Sequence, residues 1–94
     1  MESTVRVKDR DYPLRLNMGA MLRFKRMTGK EVSELRESDV EGMITLVYCC
    51  TAAACNADGV EFAYTLEDFA DNLEPESFSD ASIALASSAE KKRK

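Results

Sequence analysis

The residue types best able to do chemistry in this chain are three cysteines and one cluster of acids. Cys49, Cys50 and Cys55 lie in the most apolar stretch. A structural zinc ion takes about four Cys or His ligands, commonly as paired C-x-x-C or H-x-x-x-H units. The chain has no histidine and no such pair, so no metal site is expected. An odd number of cysteines with two adjacent does not suit a mutual disulfide, and each reads instead as a small buried hydrophobe. A nucleophilic thiol needs a nearby cation, base or helix N-terminus to lower its pKa, whereas apolar company raises it. Glu67, Asp68 and Asp71 form the acidic cluster, and acids in a first helical turn are explained by the favourable end of the helix dipole. The four glycines, at 19, 29, 42 and 59, are too scattered for a phosphate loop. Without histidine the commonest general base is missing. The expectation is a protein that is not an enzyme, with no catalytic residue, metal or cofactor, and that acts by binding another macromolecule.

Ninety-four residues suffice for one domain with one modest core. Hydrophobic residues at 45% and charged residues at 32% place the chain among globular proteins. The longest apolar stretch, Met43 to Cys55, covers 13 residues including two threonines, short of the ~20 a membrane span needs. Met1-Glu2-Ser3-Thr4 opens no signal peptide, and a soluble cytoplasmic protein is expected. The net charge of −4 is strongly segregated: +4 over residues 1–36, −11 over 37–89 with no base at all, and +3 over 90–94. The bases are too few and too well offset for general nucleic-acid binding.

Several elements must hold these residues in place. Val5 and Val7, then Tyr12, Leu14 and Leu16, alternate with polar residues, the period of a half-buried strand. They predict a β-hairpin broken at Asp9-Arg10-Asp11, with no glycine to mark a tight turn and Pro13 at a sheet edge. From Asn17, an N-cap, the period becomes helical as far as Gly29. Met18, Met21 and Leu22 fall on one side, Ala20, Phe24 and Met27 on an adjacent one, and Arg23 and Arg26 form a polar strip. A short helical turn follows over Lys30 to Glu37. Ser38 and Glu41 have capping-box spacing and open a helix to about Asn56, apolar nearly all round and therefore central. Val40, Met43, Ile44, Val47, Thr51 and Ala54 share one face of it, and Ile44→Ala is expected to cost ~2–5 kcal/mol. Gly42 there implies either a site that tolerates only a small side chain or weakly held first turns. Asn56 to Gly59 is a turn, Val60 to Tyr64 an extended piece, and Thr65 the cap of another helix that Pro75 stops. A last helix carries Phe78, Ile83 and Leu85 and fades through Ala-Ser residues. The fold class expected is α+β, mainly α. The expected division is a hairpin at residues 1–17, a helical part of about four helices at 18–89 and a basic tail at 90–94.

The order of four motifs resembles a known family: Tyr12-Pro13-Leu14-Arg15-Leu16, then Met21 to Lys30 ending in Met27-Thr28-Gly29-Lys30, then Ile44-Thr45-Leu46-Val47-Tyr48 running into Ala52-Ala53-Ala54, and finally Thr65-Leu66-Glu67-Asp68-Phe69-Ala70-Asp71-Asn72-Leu73. Together they are similar to the tail assembly chaperones of long-tailed bacteriophages and their prophage relatives, over roughly Tyr12 to Pro75. The resemblance implies a protein of the bacterial host cytoplasm that coats the tail tape-measure protein until tail-tube subunits polymerise around it. Such a protein is absent from the mature virion. A longer form made by ribosomal frameshifting would extend the partners to the tail-tube protein, with self-association left open. The lysine codons of Lys91-Lys92-Arg93-Lys94 would supply the adenine-rich slip site. Among the residues themselves, Met18, Met21, Phe24 and Met27 are the candidate protein-binding set, since methionines make an adaptable apolar surface. The competing reading is another small interaction module, such as a virion completion protein or a toxin-neutralising partner.

Overall fold

Strands β1 (Ser3–Val7) and β2 (Arg10–Leu14) pair antiparallel, from Ser3 opposite Leu14 to Val7 opposite Arg10. The computed structural model describes residues 3–36 and 38–92. Alternation does what it should: Val5, Val7, Tyr12 and Leu14 are buried, while Arg6 and Asp11 face water and meet at 3.3 Å. The turn corrects the sequence reading. Lys8 and Asp9 alone connect the strands, at φ 54° and 65°. Two central residues with positive φ make the tight turn whose twist matches a hairpin, here built without glycine. The other edge of β1 is also taken. Lys8 N–H donates to Asn72 O at 3.2 Å and Glu74 N–H to Arg6 O at 3.4 Å, with Val7 and Leu73 in a bridge. That leaves β2 at the sheet's edge, where Pro13 removes no ladder bond.

Helix α1 (Met18–Thr28) starts where Asn17 Oδ1 accepts the Ala20 N–H at 2.9 Å and ends at Gly29, φ 76°. A single 3-10 turn follows at Val32–Glu34, where a short helical segment was expected. Helix α2 (Val40–Asp58) is capped by Asp39, whose Oδ1 accepts the Gly42 N–H at 3.0 Å. Ser38 is one residue too early and exposed, so the expected Ser38–Glu41 box does not form. A Cβ on Gly42 would lie 2.7 Å from Asp39 Oδ2 and collide with Leu35 Cδ1. Of the two explanations for this glycine, close approach is the one that applies.

From Thr45 to Cys55 α2 is buried on nearly every side, with Val47, Cys49 and Cys50 at 0% exposure. Its first turns are not. Of the face expected to point inward, Met43, Val47, Thr51 and Ala54 are buried, whereas Val40 is 59% exposed and Ile44 only partly buried and outside the core cluster. Thr45 and Thr51 are buried because their hydroxyls donate to the carbonyls of Glu41 and Val47, at 2.9 and 2.8 Å. By length and composition α2 could cross a membrane, with mean hydropathy 1.3 over its apolar window, yet 61% of that window is buried under the other elements. It is the core helix of a compact body whose radius of gyration, 12.0 Å, equals the ~12 Å of a single domain this long. The helix also outruns the expected stop at Asn56, continuing to the left-handed Gly59.

Phe62 and Tyr64, on the extended piece after α2, join Tyr12, Tyr48 and Phe69 in an aromatic cluster with ring centroids 5.4–6.0 Å apart. The Tyr48 hydroxyl donates to Tyr64 O at 2.5 Å, which ties that piece to the core helix. Helix α3 (Leu66–Asn72) is capped by Thr65, and helix α4 (Pro75–Lys92) lays Ala81 and Leu85 against the hairpin and α2. Ile83 departs from the expected stripe at 66% exposure. The backbone of α4 also continues past residue 89, because alanine, glutamate and lysine sustain a helix without an apolar stripe. The fold is α+β and mainly α: a hairpin and four helices packed about α2. The end of the basic tail, Arg93 and Lys94, lies outside the described residues, and with it part of the expected slip site.

Candidate functional site

Four residues of α1 were candidates for binding, and the structure divides them. Phe24 is 1% exposed and, with Ala20 four residues before it, forms the side of α1 that packs on α2. It belongs to the core and shows an edge only at a cleft by the C-terminal end of α1. The reason is rotational: residues four apart share a helical face, and Ala20–Phe24 is the face that the rest of the protein covers. Met18, at 77% exposure, stands on the opposite side. Met21 is half-buried at the flank. Met27 is 46% exposed, while its sulfur lies 3.7 Å from Cys49 Sγ, so this side chain is core at one end and surface at the other.

Leu22, 50% exposed, is the residue that the candidate set lacked. Its spacing of four from Met18 was visible in the sequence, but the choice followed methionine identity instead of helical position. Met18 and Leu22 form an apolar pair on the outward face, continued by exposed Lys25 and Arg26. The Arg23 guanidinium is turned along the helix, donating to Gly19 O at 3.2 Å. Lys25 meets Glu31 at 3.2 Å, with both side chains at least half exposed.

A separate open cleft of about 290 Å³ lies on the Phe24–Met27 side of α1, at its C-terminal end. Phe24, Met27, Leu35 and Leu66 supply apolar walls, and Lys30, Asp39 and Glu41 supply charge. The absent Gly42 side chain contributes to this space: it lets Leu35 and the Asp39 cap close on the first turns of α2. The cleft therefore depends on a loop and three helices, which no single segment of sequence would disclose.

The other candidate chemistries are elsewhere. Cys49, Cys50 and Cys55 are buried and carry no disulfide. Burial pushes the Cys49 thiol up to about 11, with Arg23 drawing it partly back, and burial also raises Cys55. Such thiols are poor nucleophiles at neutral pH. Glu67 and Asp68 occupy the first turn of α3, where the helix dipole favours them, and among the described residues no His, Cys, Asp or Glu group is arranged to hold a metal ion. On the outward side of α1 the surface offers two apolar side chains, Met18 and Leu22, beside two bases, Lys25 and Arg26. Compared with known proteins, the chain matches no family model, no curated protein and no solved structure.

Proposed function

We propose that this protein is a tail assembly chaperone of a long-tailed bacteriophage or prophage, binding the tape-measure protein and keeping it soluble in the host cytoplasm until the tail tube forms. The observation that carries the reading is the apolar surface α1 leaves in water: Met18 at 77% and Leu22 at 50% exposure on its outward face, and Met27 at 46% beside the open cleft on its other side. In so small a domain, apolar side chains are needed inside, and each one left in water forgoes roughly 1.5–3 kcal/mol of burial. Several on one short helix are the pattern of an interaction surface. Methionine and leucine make that surface adaptable, which suits a long client presenting many different helical segments. The sequence motifs from Tyr12 to Leu73 support the family, and the buried, unreactive thiols are compatible with a purely binding role. On this reading the protein leaves before the virion matures, and a frameshifted longer form brings in the tail-tube protein.

Co-expression with the long, apolar, helix-rich reading frame expected downstream is the test. The chaperone should raise that client's soluble yield, and the double variant Met18→Ser/Leu22→Ser should abolish the gain while keeping the wild-type circular dichroism. An unchanged yield with the variant overturns the assignment of this surface. Phe24→Asp is unsuitable as a probe, because it would place a carboxylate in the core. A different downstream gene would favour the alternative, another small interaction module using the same face.

A further inference from the structure

The outward face of α1 is apolar at Met18 and Leu22, and the charged side chains beside that pair, Lys25 and Arg26, are both basic. From Tyr12 to Lys30 the chain holds Arg15, Arg23, Lys25, Arg26 and Lys30 and no acid, whereas residues 37–89 hold eleven acids and no base. The helix sorts these charges. Lys25 and Arg26 follow Leu22 by three and four positions, so they stand directly beyond the Met18–Leu22 pair on the exposed side. Lys30 lies apart from this pair, at the cleft, where Asp39 and Glu41 also line the wall. We infer that the Met18–Leu22 face takes an amphipathic helix whose apolar stripe is bordered by Asp and Glu residues. Its apolar side chains cover Met18 and Leu22, and its acids meet Lys25 and Arg26. This deepens the binding reading above and rests on it, since it names the chemistry of the client segment.

Charge complementarity selects this partner over others. A basic amphipathic helix would bring like charges together across the contact. An uncharged apolar helix would cover the same side chains but strip water from Lys25 and Arg26 without replacing it. An acid-flanked helix satisfies both parts of the face. Lys25 is readily available to it, because the present pair with Glu31 is solvent-exposed at both ends and such pairs contribute little. Met18, Leu22 and Lys25 stand at i, i+4 and i+7 on the exposed side of α1, so a partner helix laid along it meets two apolar side chains and then a base.

The test uses the full chain and two labelled synthetic helical peptides. Both carry leucines at i, i+4 and i+7, one with glutamates beside the stripe and the other with lysines. Fluorescence anisotropy in about 0.1 M salt should show the glutamate peptide binding tighter by roughly tenfold. The advantage should shrink in about 1 M salt, where the screening length falls to about 3 Å. The Lys25→Glu/Arg26→Glu variant should reverse the preference, and Met18→Ser/Leu22→Ser should weaken both peptides. Equal affinity for the two peptides, or a preference for the lysine one, overturns the inference. Sedimentation velocity showing this face already covered by a second copy, in a dimer broken by Lys25→Glu/Arg26→Glu, overturns it too. If the preference fails while co-expression still rescues the client, only the acidic-helix inference falls. If co-expression fails as well, the binding reading falls with it.

Discussion

The Arg15 guanidinium grips the Asp58 carboxylate through two parallel N–H···O bonds of 2.9 and 2.8 Å, joining the end of the hairpin to the last residue of the central helix, 43 positions away. Asp58 would otherwise face the negative end of the α2 dipole. The hydrogen bonds from Arg15 hold its carboxyl below the usual aspartate value, with solvation lost at the contact opposing them.

The sign of the pH dependence follows. A carboxylate whose pKa is lower in the folded state contributes stability that is present above its unfolded pKa, ~3.9, and is lost as pH falls through the folded value. Arg15→Gln should therefore be less stable than wild type at neutral pH, and the gap should close in strong acid. Urea melts at about pH 7 and about pH 2.5 measure it; a gap that persists in acid would mean Arg15 acts through packing of its stem instead.

The core is centred later along α2 than its apolar periodicity indicates. Leu46, at 4% exposure, lies within the core cluster, and Ile44 does not. Leu46→Ala should cost ~2–5 kcal/mol, as truncations leaving a cavity do. Ile44→Ala should cost less, on the order of 1–2 kcal/mol, since that side chain is only partly buried and lies outside the core cluster. Denaturant unfolding of the two variants, ranked the other way, would contradict this placement.

The hairpin turn can be improved. Asp9 sits at φ 65°, a region that costs most L-residues ~1–2 kcal/mol, aspartate less, and glycine nothing. Asp9→Gly should raise stability by roughly 0.5 kcal/mol after the added freedom of the unfolded chain is counted. A fall in the melting temperature would show that the Asp9 side chain contributes more than its backbone strain removes.

Cys49 should resist thiol reagents until the protein unfolds. Its folded pKa of about 11 stands above the ~8.5 of an exposed thiol, so stability from this group is fully present below about pH 8.5 and declines as pH rises toward the folded value. Labelling of the native protein at neutral pH should be slow, and Cys49→Ala should flatten the alkaline end of the stability curve. Rapid labelling of Cys49 in the native state would mean that its burial is transient.

Local chemistry carried much of this architecture. Asn17, Thr65, Gly29 and Gly59 mark helix ends because a cap needs only a side-chain acceptor or a left-handed φ within a few residues of itself. The strand alternation from Val5 to Leu14 was likewise legible, as was the central place of an α2 that is apolar nearly all round. The sequence determined that these elements form and that one of them must be surrounded. Tertiary structure decided which sides were covered. A periodic stripe locates residues relative to one another, but the direction of the core depends on what packs there. Phe24 went inward and Met18 and Leu22 outward because α2 closes on the Ala20 side of α1. Val40 and Ile44 were left nearer water while Gly42 and Met43 of the same turns were covered. The pairing of Val7 with Leu73 spans most of the chain, and no local pattern encodes it. The binding face belongs to this second class: its residues were in view from the start, and their exposure is a property of the packed molecule.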